Sequence, residues 1–117
     1  MTVASIVMGI MLAVLFVALG VAKLLLVPFM ARAAEHFGIS PTNYRLIGVL
    51  ELAAAGGLVI GLFWPPLGIA AAVGLVVLLI GAVVAHRRAG DGAKETFPAV
   101  WIALVSAATA VVTVLAV

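Results

Sequence analysis

Residues 48–61 read GVLELAAAGGLVIG, an apolar run of membrane character interrupted by one carboxylate, Glu51. An acid inside a spanning helix costs about 2.5–3.5 kcal/mol on insertion scales, so it is rare and usually has a partner or a task. Alanines and glycines follow it, and Gly57 and Gly61 form a GxxxG pair. The partner nearest in depth is Lys23, which closes another apolar run.

The rest of the chain supplies the frame. Its 117 residues are 68% hydrophobic and 9% charged, whereas soluble domains are about half apolar and a quarter charged. A water-soluble core of this size would have no surface left for so much apolar area, so the bilayer is the expected solvent. One domain is all the length allows. No cysteine is present, which excludes disulfides, thiolate metal sites and dithiol redox chemistry. The net charge of +2 is spread over several loops, and nucleic-acid binding, which needs a continuous basic stripe, is not expected.

The pattern predicts an all-α integral membrane protein, a four-helix up-down bundle with spans at about residues 4–27, 42–63, 67–87 and 97–116. The first run has no basic leader and is too long for a signal peptide, so it reads as a span. Pro28 is expected to kink or end it. Residues 29–37 carry apolar side chains at helical spacing, with Arg32, Glu35 and His36 between them; this amphipathic segment lies in the interface, with Gly38 as its stop. Ser40 and Pro41 open the second span as cap and first residue. Trp64-Pro65-Pro66 is a tight turn with an aromatic anchor. Residues 89–95, AGDGAKE, form the one dense polar loop, and Thr96 is read as the cap of the fourth span, with Pro98 in its first turn.

Lys23, Arg32, Arg45, Arg87, Arg88 and Lys94 all fall toward the side of the 1–2 and 3–4 connections. Positive residues in short loops mark the cytoplasmic face, so both termini are expected outside and both polar loops in the cytoplasm. Small residues let membrane helices approach closely. On that ground Gly57, Gly61, Gly74 and Gly81 are read as packing positions, with Ala53 in register with the first two and with Ser5, Gly9 and Ala13 as the equivalent face of the first helix. Contact inside the bundle is favoured over a dimer face; a homo-oligomer stays open.

Lys23 lies about 7–8 Å along the helix from Pro28, and Glu51 about 10 Å past Tyr44, at 1.5 Å per residue. Both sit at a similar level. Two readings of Lys23 stand: its ammonium snorkels to the interface, or it pairs with Glu51 inside the bundle. Tyr44, Arg45 and His86 are the neighbours that complete a candidate polar cluster. His86 is read as interfacial, with reach into the bundle mouth, and His36 as solvated. The two histidines are misplaced for a bis-histidine haem, and no clustered ligands suggest a metal. Ser106, Thr109 and Thr113 are expected to bond their own backbone. No nucleophile–base pair or phosphate cradle is visible, so catalytic residues are not assigned and the chain is read as non-enzymatic by itself.

Gly20-Val21-Ala22-Lys23-Leu24, then Tyr44-Arg45 before Gly48-Val49-Leu50-Glu51-Leu52, glycines at 56, 57 and 61, and His86-Arg87-Arg88 ending the third span together resemble the DoxX-like family of small bacterial membrane proteins. The resemblance covers essentially the whole chain. It implies a multi-pass protein of the bacterial inner membrane and an association with redox or oxidative-stress complexes, with quinone as the one cofactor in view and a protein partner in the membrane as well as lipid. The expected function is a non-catalytic subunit or scaffold of a redox- or quinone-linked complex. The alternative is a small proton-coupled transporter in which Glu51 titrates.

Overall fold

A computed structural model describes residues 2–117. Among them are five helices and no strands: α1 Val3–Leu24, α2 Pro28–Phe37, α3 Pro41–Ile60, α4 Pro65–Arg88 and α5 Ala93–Ala116. All but α2 are long and apolar enough to cross a membrane. The reading of an all-helical chain with four long apolar helices is what the structure shows.

Local chemistry explains where each helix starts and stops. Thr2 caps α1 by accepting from the Ser5 N–H. The helix ends at Leu24 rather than running on to Pro28, because Leu26 takes a positive φ of 50°. Such a conformation is costly for a residue with a Cβ, and it turns the chain sharply. Pro28 therefore opens α2 instead of closing α1; its missing N–H is harmless at a first helical position. Gly38, at φ 68°, ends α2 in the left-handed conformation that glycine adopts without strain. Ser40 accepts from the Asn43 N–H at the start of α3.

The start of α5 departs from the expectation that Thr96 is its cap. The helix begins one turn earlier, with Gly92 as N-cap. The Glu95 carboxylate accepts from the Gly92 N–H at 3.0 Å, and the Thr96 hydroxyl donates to the Gly92 carbonyl at 2.8 Å. Pro98 consequently lies inside α5 rather than in its first turn, leaving the Lys94 carbonyl without its usual donor.

The long helices close a ring in the order α1, α3, α4, α5, with α1 against α5 completing it. Sequence neighbours in this ring are antiparallel. The C-terminal part of α1 meets the N-terminal part of α3 at Gly20 and Gly48, and α3 meets α4 at Gly61 and Gly68 beside the Trp64 turn. The core consists of Leu12, Ala13, Phe16, Ala55, Leu58, Ala72, Leu75, Leu79 and Ala110. Only 22–33% of each span is buried, and large apolar side chains such as Val14, Leu50, Val77 and Leu104 point outward. Apolar groups on both faces are what a lipid solvent permits and water does not. Polar side chains are inside instead: Ser106, Thr109 and Thr113 are buried and donate to the carbonyls of Ile102, Val105 and Thr109 at 2.7–2.9 Å.

Candidate functional site

The site begins with two glycines. Gly20 sits one turn before Lys23 on α1, and Gly48 one turn before Glu51 on α3, so each shares a face with its charged neighbour. A Cβ on Gly20 would come within 2.8 Å of the Gly48 carbonyl oxygen, and one on Gly48 within 2.9 Å of Lys23 Cβ. The two backbones touch here because neither residue has a side chain.

That contact brings Lys23 Nζ to 2.7 Å from Glu51 Oε1. Glu51 is 2% exposed. Oε1 is buried, and the Lys23 ammonium is the polar group set against it. The ammonium also lies 5.5 Å from the centre of the Tyr44 ring, a cation–π distance. Tyr44 is buried, and its hydroxyl has only the weak acceptor Met30 Sδ at 3.8 Å. Of the two readings of Lys23, the geometry is that of the internal pair.

Lys23, Tyr44 and Glu51 open onto a cavity of about 370 Å³, whose other walls include Phe16, Leu19, Ile47, Leu79, Ile102 and His86. Most of its lining is apolar, with the polar groups concentrated in four side chains. Ligand sites in proteins have this composition and run from about 300 Å³ upward.

His86 Nδ1 lies 2.6 Å from Asp91 Oδ2, and His36 Nε2 lies 2.7 Å from Asp91 Oδ1. One carboxylate in the α4–α5 loop thus joins the last turns of α2 and α4. Hydrogen bonds from His86 and His36 hold the Asp91 carboxyl below the usual carboxylate range. An ionised carboxylate only accepts, so both facing ring nitrogens carry hydrogen. Phe37 sets its ring edge-on to His86, with centroids 4.8 Å apart.

Several residues singled out from the sequence lie elsewhere. Arg45 is exposed and does not line the cavity. His36, read as solvated, is half exposed but bonded to Asp91. Gly57 and Gly61 face α4: a Cβ at Gly57 would meet Ala71 Cβ at 3.0 Å, and one at Gly61 would collide with the Gly68 backbone. Gly74 and Gly81 are not at close contacts, since a Cβ on either meets nothing within 4 Å. Both are exposed, and Gly81 borders the cavity. Ala53 is exposed as well; the buried seam of α3 runs through Tyr44, Gly48, Glu51, Ala55 and Leu58.

Sequence reasoning missed Gly20 and Gly48 as packing positions, although a glycine three residues before each intramembrane charge was a usable signal. It missed Asp91 entirely. A lone aspartate between two glycines in a polar loop looks like any turn residue.

No curated protein and no solved structure matches this chain. The sequence profile of the DoxX-like family matches residues 7–108, which include every member of the ion pair, the cavity polar groups and the histidine bridge. With four membrane-length helices and a match over most of its length, the chain belongs to the DoxX-like family.

Proposed function

We propose that this protein is a non-catalytic, ligand-binding membrane subunit whose cavity takes the head group of a quinone or a lipid-like molecule of similar polarity. The observation that carries this reading is the buried Lys23–Glu51 pair, whose two side chains lie on the wall of an otherwise apolar cavity. Glu51 Oε1 has the Lys23 ammonium against it, and a carboxylate oxygen can accept from a bound donor as well. The donor set suits a quinone in both redox states. Lys23 Nζ and the Tyr44 hydroxyl can donate to carbonyl oxygens, and Glu51 Oε1 can accept from a hydroxyl. The apolar walls suit a ring that partitions into lipid.

In this reading the chain resides in the bacterial inner membrane, with both termini outside and the loops bearing Arg32, Arg87, Arg88 and Lys94 in the cytoplasm, where a partner subunit docks. A second reading, a proton-coupled carrier with Glu51 as titrating group, draws support from the same cavity-facing carboxylate. The two make different predictions. Protein purified from native membranes in mild detergent is expected to retain quinone, extractable and identifiable by mass spectrometry, and Glu51→Gln and Lys23→Met are expected to retain at least tenfold less. Absence of any retained quinone or lipid above the level of an unrelated membrane protein, together with pH-driven flux in proteoliposomes that Glu51→Gln abolishes, would replace the first reading by the second.

A further inference from the structure

The histidine bridge sits at the edge of the same cavity and is chemically distinct from the ion pair. His86 lines the cavity. Its Nδ1 is committed to Asp91, so Nε2 is the ring nitrogen left to meet an occupant. Asp91 Oδ1 is committed to His36, whose side chain is 50% exposed. A single carboxylate therefore stands between a ring that faces the cavity and a ring that faces water.

His36 and His86 each occupy the last turn of a helix, where the helix end carries partial negative charge. Asp91 supplies one full counter-charge. Two imidazoles thus share one anion. The remaining charged groups on the elements that meet here are Lys23, Arg32, Glu35, Arg45, Glu51, Arg87, Arg88, Lys94 and Glu95. None of them pairs with the bridge; Lys23 and Glu51 pair with each other, and among the described residues no further ion pair forms.

We propose that His86 is the proton-exchanging residue of the cavity, with Asp91 as its positioning residue and His36 as its coupled partner on the water side. The imidazolium of His86 gives its Nε2 proton to an oxygen or nitrogen of the occupant, the N–H electron pair stays on Nε2, and the return of a proton to Nε2 restores it. Asp91 remains an anion throughout and keeps Nδ1 protonated. A change at the water-facing His36 ring reaches His86 through the carboxylate they share. This inference rests on the cavity being a binding site, as proposed above.

The chain has two histidines, so ring ¹⁵N NMR of the whole protein in lipid nanodiscs reports on each, with His36→Asn providing the assignment. The expected result is neutral His86 with hydrogen on Nδ1, the less populated tautomer of a free histidine, and loss of that preference in both Asp91→Ala and the more conservative Asp91→Asn. Glu51→Gln is expected to shift the His86 ring signals and leave those of His36 in place, because only His86 shares the cavity. Added decylubiquinone is expected to shift His86 Nε2. A neutral His86 with its hydrogen on Nε2 in the wild-type protein, or a His86 ring indifferent to both Asp91 variants, overturns the proposal, as does a His86 ring unmoved by Glu51→Gln and by decylubiquinone alike. Failure of the quinone reading alone shows differently: no quinone is retained, decylubiquinone shifts nothing, and the tautomer and the response to Glu51→Gln persist.

Discussion

Two polar clusters border one cavity, and they are built on opposite principles. Lys23–Glu51 is held by backbone: Gly20 and Gly48 bring α1 and α3 into contact, and the charges meet because the helices do. His36–Asp91–His86 is held by side chains alone, across a short helix and a loop. The first is buried and is a single ion pair. The second is partly open to water, and both oxygens of its carboxylate accept hydrogen bonds. A membrane protein can thus fix a charge deep in its core by removing side chains, and at its edge by adding them.

The largest expected effect breaks the buried pair. Lys23→Met leaves a carboxylate without its counter-charge and should cost about 3–5 kcal/mol, whereas Lys23→Met combined with Glu51→Met should recover most of the loss. Denaturant titration in mixed micelles checks both, and a double variant no better than the single would show that the pair is not the unit. Next in size is Gly48→Ala. The added methyl meets the Gly20 carbonyl and Lys23 Cβ at 2.8–2.9 Å, so overpacking should cost about 1–3 kcal/mol and separate the pair with no change to either charge. Gly74→Ala has the opposite sign: with open space around it, it should gain about 0.5–1 kcal/mol from helix propensity. A loss there would show that α4 packs more tightly than described.

The smallest effect on stability belongs to the bridge, and it depends on pH. Hydrogen bonds from the histidines lower the Asp91 carboxyl pKa on folding. A carboxylate depressed in this way contributes stability that is complete above its unfolded value of about 3.9 and is lost as pH falls through the folded value below that. Asp91→Asn should therefore be less stable than wild type at pH 6, with the gap closing only below about pH 4. A gap that is already closed at pH 5 would contradict this.

These contrasts also explain which parts were legible in the sequence. Glu51 and Lys23 stand out because charges inside apolar runs are rare, and the helices stand out because the runs are long. The caps at Ser40 and Gly38 follow local rules and were readable. The α5 cap was misread because Thr96 looks like a better cap than Gly92; the Glu95 carboxylate decides the matter by reaching back to the Gly92 N–H. Gly74 and Gly81 share a spacing with true packing glycines, but spacing does not say how far apart the neighbouring helix stands. The histidine bridge joins residues 36, 86 and 91, and only the folding of α2 over the bundle mouth brings the first to the other two.

The contact between Gly61 and Gly68 has a mechanical side. There the α3 and α4 backbones meet so closely that no Cβ fits at Gly61, while at the other end of α4 the helix borders the cavity through Gly81, Ala85 and His86. Any tilt of α4 against α3 would have this contact as its fulcrum. From Gly68 to His86 the arm is about 27 Å long at 1.5 Å per residue, so a rotation of one degree at the fulcrum moves the histidine by about 0.5 Å over that length. The cavity lies at the far end of that arm from the two glycines.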